Sequence, residues 1–317
     1  MRVFITGATG FAGSHLVDQL LAGGDEIFAL VHGESGHQDL PDHPAVTAIP
    51  GNLLDAEGLK TAVSQAKPDV IYHLAGQASP AISWQKPALT IAINIGGTAN
   101  LLDAAVAYGR PRVVVVTSAE IYGRIDPGNL PITEKTEPEP RHPYGISKLA
   151  AGKLVAVYWA RYQLPVVEAR PFNHVGPRQA LGFVVPDFAS QLAAIKLGQQ
   201  AATILVGNLE AQRDFTDVRD VTAGYRTLAA KGQPGEGYLI CSGQPVSIHH
   251  LLNTLSELAG IEVRVNYDPS RMRPSDVACL YGSYAKIKAD TGWQPHIHLR
   301  QSLADALTDW VQRLQGK

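Results

Sequence analysis

The stretch HPYGISK, residues 142–148, sets a tyrosine four positions before a lysine. At the start of a helix this spacing stacks Tyr144 and Lys148 on one face. A phenol with a pKa near 10 needs a shift of roughly 3 units, about 4 kcal/mol, to act as an acid/base near neutrality. A neighbouring ammonium and a positive cofactor ring can provide much of that by favouring the phenolate. Alone, the pair describes a solvated helix face equally well. Upstream, VVVTSAEIYG (114–123) puts Ser118 and Glu120 just past an apolar run. The hydroxyl would orient a substrate carbonyl; the carboxylate reads as a base, a hydroxyl acceptor or a structural acceptor.

A second signature lies at the other end of the chain. TGATGFAG (6–13) follows the first apolar run and opens a helix-period segment, with Gly7, Gly10 and Gly13 spaced by Thr9, Phe11 and Ala12. Missing side chains let the backbone turn tightly and approach a pyrophosphate, which sits on free N–H groups at the positive end of the helix. The bland alternative is a tight glycine turn without a ligand. The order of strand, glycines and helix favours a dinucleotide. An acid about 20 residues further on usually grips the adenosine ribose of NAD. Here Val31 and His32 stand in that place. Loss of the acid removes repulsion against a 2′-phosphate, so NADP(H) is expected, with NAD(H) as the alternative. GNLLD (51–55) would set Asn52 and Leu53 beside the adenine, and HLAGQAS (73–79) would let the cofactor pass over Leu74, Ala75 and Gly76.

These residues need elements to hold them. Apolar runs at 3–6, 26–31, 46–50, 69–75, 112–118 and 165–170 alternate with segments of helical period, which predicts an α/β fold with a doubly wound parallel sheet. Beyond about residue 171 the rhythm turns irregular, with short strands at 203–206 and 237–242 among helices near 187–197, 218–230, 247–259 and 299–314. A dinucleotide-binding domain over 1–170 and a smaller mixed α/β lobe over 171–317 are therefore expected, interleaved where ARPFNHVGP joins them.

Composition narrows the partners. A net charge of −2 over 317 residues gives no broad electrostatic case for nucleic acid or membrane, so an anionic ligand needs a local cluster. Cys241 and Cys279 follow no metal spacing and read as buried or incidental thiols. His249–His250 and His296 with His298 lack a nearby cysteine or acid at a metal spacing, so no metal is expected. The opening MRVFITGATG lacks the features of a signal peptide, and no stretch reads as long enough to span a bilayer, making the cytoplasm the default expectation.

In their order along the chain, TGATGFAGSH, HLAGQAS, NIGGTANLLDA, TSAEIYG, PYGISK, ARPFNHVGP, RDFTDVRD and TGWQP resemble the extended short-chain dehydrogenase/reductase family, in its nucleotide-sugar branch. The resemblance covers essentially the whole chain. It implies a Rossmann-like domain with Ser118, Tyr144 and Lys148 as the catalytic triad, Asn94 and the backbone around Pro171 and Asn173 near the cofactor, and a homodimer packed as a four-helix bundle through helices near 87–108 and 145–162. VGNLEAQRDFTDVRD, CSGQ and DPSRMRPSD look most like the branch that reduces GDP-linked 4-keto-6-deoxy-mannose to GDP-D-rhamnose. Carried over by position, Asn173, Arg213 and Arg273 would meet the nucleotide diphosphate, Asp276 a ribose hydroxyl, and Val184, Val185 and Phe188 the base. Planar Arg forks suit a diphosphate better than Lys. The arginines' bland reading is salt bridging to Asp214, Asp217 or Asp276. Glu120 stands where the related GDP-mannose 4,6-dehydratases carry a glutamate base, so a dehydratase or epimerase with recycled cofactor is the rival. A cofactor-binding protein without turnover is the remote one.

Overall fold

The structure is a computed structural model and describes residues 1–33, 40–271 and 277–316. Its strands are β1 (Arg2–Thr6), β2 (Glu26–Val31), β3 (Val46–Pro50), β4 (Val70–His73), β5 (Arg112–Val116), β6 (Val166–Pro171), β7 (Asn173–Val175), β8 (Thr203–Val206), β9 (Gln212–Asp217), β10 (Gly237–Ile240), β11 (Pro245–Ser247), β12 (Arg264–Tyr267) and β13 (Cys279–Leu280). Among the described residues, seven strands form one parallel sheet in the order β10-β6-β5-β4-β1-β2-β3. Chain order reverses between β1 and β4. A crevice opens at their carboxyl ends, where open α/β sheets bind ligands.

The helices are α1 (Phe11–Ala22), α2 (Ala56–Ala66), α3 (Pro80–Gln85), α4 (Pro87–Ile91), α5 (Gly97–Tyr108), α6 (Pro143–Tyr162), α7 (Val184–Lys196), α8 (Val218–Lys231), α9 (Ile248–Ala259), α10 (Ala285–Thr291) and α11 (Leu299–Leu314). The sheet strands are apolar throughout because both faces are covered. Val3 and Ile5 pack beneath α1 and α8 with Leu16, Leu20, Val221 and Tyr225. Phe4 and Ile71 point the other way, against Leu59, Leu101 and Leu102 of α2 and α5. A third apolar core joins α7, α9 and α11 to β8 and β9. This is the mixed α/β arrangement expected of the second half.

Two expectations are corrected. GYLICS was grouped with the second lobe, but β10 pairs with β6 at the edge of the large sheet, with Tyr238 and Ile240 in the first core. Joining the sheet shields the edge of β6, and the Glu134 carboxylate accepts from Leu239 N–H on the new edge at 2.9 Å. Second, the helical run Pro87–Tyr108 is long and apolar enough to cross a bilayer. Its Asn94, Thr98, Leu101, Leu102 and Ala105 are buried within the protein, while Leu89 and Ile91 at its start are exposed.

Candidate active site

The glycine loop joins β1 to α1 at the switch point. Gly7 takes φ +80°, and a Cβ there would sit 2.7 Å from Ala75 N; a Cβ at Gly13 would sit 1.9 Å from Gly7 O. The backbone therefore packs closer than any side chain permits. Gly10 is the N-cap of α1 and offers no side chain to its first turn, leaving the helix end to an anion. Thr9 and Gly10 are exposed, Phe11 and Ala12 half-buried, and Gly13 buried. The loop after β4 closes the cradle, as Leu74 and Ala75 N–H both donate to Thr6 O at 3.0 Å. Gly76 lies beside Lys148, whose Nζ would be 3.5 Å from an added Cβ. These residues fit a dinucleotide.

The remaining cofactor candidates divide. His32 is exposed at the end of β2, and Asn52 is exposed with Oδ1 accepting from Leu54 N–H at 2.9 Å. Leu53 is buried against Gly97. Asn94 is also buried, on a π-helical stretch, Ala92–Gly96, between α4 and α5. Its amide accepts from Gln77 N–H at 2.8 Å and donates to Gln77 O at 3.0 Å and Ser147 Oγ at 2.9 Å. The side chain thus holds the β4 loop against α6. Pro171 is buried and Asn173 half-buried where β6 passes into β7.

Ser118, Tyr144 and Lys148 converge as expected. Ser118 ends the β5 segment and Tyr144 and Lys148 lie one turn apart on α6; all three are buried. Ser118 Oγ accepts from Glu120 N–H at 3.1 Å and lies beside the Tyr144 phenol, whose ionised form it favours. Lys148 Nζ lies 6.0 Å from the Tyr144 ring centroid and donates to Val116 O at 3.0 Å. Burial pushes Tyr144 up to about 12, against the opposing pull of the Ser118 hydrogen bond, with the Glu120 charge adding to the rise. Burial also draws Lys148 down to about 8, opposed by Glu168. Loss of hydration outweighs the ammonium, which is turned toward a backbone carbonyl. The site thus holds a protonated phenol, the form that can donate.

Glu120 sits in the turn Ala119–Ile121 and is half-buried. Its Oε2 meets His142 Nε2 at 3.0 Å. His142 was not singled out by the sequence; its position as N-cap before Pro143 was the available signal.

Three other polar residues were missed because they lie inside apolar runs. Glu168, on β6, accepts from Thr117 Oγ1 at 2.6 Å and from Arg170 Nη2 at 2.7 Å, and Arg170 Nη1 donates to Tyr122 OH at 3.0 Å. His73, at the end of β4, bridges Thr6 Oγ1 at 2.7 Å and Thr98 Oγ1 at 3.0 Å. Burial pulls its pKa down to about 3, with the Lys148 charge assisting, so the ring is a neutral strut.

The expected substrate residues are less uniformly placed. Val184 is half-exposed, whereas the side chains of Val185 and Phe188 are buried in the third core and serve packing. An amphipathic helix turns its apolar face inward, and these two lie on that face. Asn173 pairs with Phe215 on β9, two residues from Arg213. Arg213 donates to Gln212 O at 2.8 Å and Val277 O at 2.6 Å. The neighbouring acids hold other partners: Asp214 accepts from Ser242 N–H and Oγ at 2.7 Å, and Asp217 from Arg219 Nη2 at 2.7 Å. Arg273 and Asp276 lie outside the described residues.

A doubly wound sheet with a glycine cradle at its switch point and a Ser, Tyr, Lys cluster on the same edge defines an oxidoreductase of the extended short-chain dehydrogenase/reductase class. The model of the GDP-mannose 4,6 dehydratase family matches residues 4–306, and the chain belongs to that family. Among its relatives, the GDP-6-deoxy-D-mannose reductase of Pseudomonas aeruginosa is 37% identical over 99% of this chain and 98% of that protein. The structure of RMD from Pseudomonas aeruginosa complexed with NADPH superposes with a TM-score of 0.86 at 36% identity, covering 98% of this chain and 99% of the other. UDP-glucose 4-epimerase from Thermotoga maritima, solved with UDP-glucose, gives 0.90 at 28% identity over 99% and 100%.

Proposed function

We propose that this chain uses NADPH to reduce the carbon 4 ketone of GDP-4-dehydro-6-deoxy-D-mannose, forming GDP-D-rhamnose. A bound reduced nicotinamide supplies the hydride. Tyr144 donates its proton to the developing alkoxide and recovers one from solvent, while Ser118 hydrogen-bonds the carbonyl oxygen, so the charge meets prearranged donors. Lys148 would hold the nicotinamide ribose. The observation that carries this reading is the Ser118, Tyr144 and Lys148 cluster buried on the same sheet edge as the glycine cradle. Similarity over the full length to a GDP-6-deoxy-D-mannose reductase supports the same substrate.

Glu120 favours the second reading, GDP-mannose 4,6-dehydratase. The two are separated by incubating the protein with GDP-mannose and, separately, with its 4-keto-6-deoxy derivative, with and without NADPH. The reductase converts only the ketone and consumes one NADPH per product; conversion of GDP-mannose without added NADPH selects the dehydratase. Comparing NADPH with NADH at equal concentration tests the cofactor, and a strong NADH preference would refute the NADP(H) reading drawn from Val31 and His32.

Residues 1–170 would carry the cofactor and residues 171–317 the GDP-sugar, through Asn173, Arg213, Arg273 and Asp276. A cytoplasmic homodimer is the matching assembly. Exposed Leu89 and Ile91 on α4, with Ile146 and Val157 on α6, support packing through these helices.

A further inference from the structure

His142 joins two parts of the site through one ring. As N-cap of α6 it accepts at Nδ1 from Gly145 N–H at 2.9 Å. A backbone N–H only donates, so Nδ1 is bare and the proton of the neutral ring lies on Nε2. That N–H points at Glu120 Oε2, 3.0 Å away. The imidazole also stacks on the ring of Tyr144, with centroids 5.9 Å apart and planes 23° from parallel. Its side chain is only 10% exposed, so these contacts fix one orientation. Serine, threonine or aspartate would make the same cap, but each accepts through oxygen and none presents a donor across a ring to a carboxylate.

We propose that His142 is a positioning residue, which aims the Glu120 carboxylate beside Ser118 and Tyr144 as a fixed acceptor for a substrate hydroxyl. A hydrogen bond to a carboxylate is short and directional, and anchoring one oxygen orients the group. The cap ties this orientation to the helix that carries the proton donor. The hydroxyl being that of a sugar rests on the reductase reading; the anchoring does not.

The charged and titratable groups around the ring are Glu120 from the turn after β5, Tyr144 on α6, and the Arg141–Glu139 pair, 2.6 Å, in the approach to the helix.

The test compares His142→Asn, which keeps a cap acceptor but lacks the reach, with Glu120→Ala and the double variant. His142→Asn should raise the sugar-substrate KM about tenfold and leave the NADPH KM unchanged. The double variant should be no worse than the poorer single one. A wild-type sugar-substrate KM in folded His142→Asn, or multiplying effects in the double variant, would overturn the proposal. Imidazole ¹⁵N NMR on the wild type and Glu120→Ala needs neither turnover nor a folded His142 variant. An Nε2–H tautomer that responds to Glu120→Ala is expected, while the Nδ1–H tautomer or no response would overturn the anchoring whatever the substrate.

Discussion

Glu168 on β6 and Gly152 on α6 stand so close that a Cβ on Gly152 would lie 2.2 Å from Glu168 Oε1. The glycine leaves room for a buried carboxylate one helical turn beyond Lys148. Thr117 and Arg170 bind that carboxylate, and it is the charge that opposes the fall of the Lys148 pKa. Glu168→Gln is therefore expected to move the loss of the Lys148 ammonium to lower pH. The alkaline limb of kcat/KM should shift to lower pH than in the wild type. Leaving Arg170 without its buried partner should also cost about 3 kcal/mol in urea unfolding. An unchanged alkaline limb would remove Glu168 from this role.

Lys148 itself stores a conflict between stability and activity. Its pKa falls from 10.5 unfolded to about 8 folded, so the folded state holds fewer protons across that window. This contribution destabilises fully below pH 8 and fades as the pH rises toward 10.5. Lys148→Met should raise stability by up to about 3 kcal/mol at pH 7 and abolish turnover. The advantage over wild type should shrink at alkaline pH, as read by unfolding at several pH values.

Tyr144→Phe removes the proton donor while keeping the ring that stacks on His142. Turnover should fall by roughly 10²–10⁴-fold, the usual worth of a positioned general acid. NADPH affinity, measured by fluorescence titration, should change less than threefold (about 0.6 kcal/mol). Undiminished turnover would contradict the role given to the phenol.

Gly13→Ala tests the cradle. The added methyl would collide with Gly7 O at 1.9 Å, a backbone atom that cannot swing aside. The expected result is loss of NADPH binding by at least about tenfold, 1.4 kcal/mol, together with a lowered Tm. Gly24→Ala is a useful control, because its φ of +74° strains an alanine but nothing lies within 4 Å of the added Cβ. It should lower stability without affecting NADPH affinity.

Local sequence determined most of the large sheet and one edge of the site. Strands β2 and β3 fall on the expected residues, because apolar runs bounded by turns are buried on both faces whatever surrounds them. The glycine spacing and the Tyr144–Lys148 interval are likewise local, set by one turn and one helix. Tertiary structure alone decided what burial does to these groups. It raised the phenol and lowered the ammonium, because desolvation depends on every atom packed around each group. It also carried β10 back to the first sheet, turned Val185 and Phe188 into the core, committed Asn94 to Gln77, and brought His142 to Glu120 across 22 residues of chain. Spacing along a chain specifies which residues share a helix face or a turn; partners and solvent exclusion belong to the packed chain.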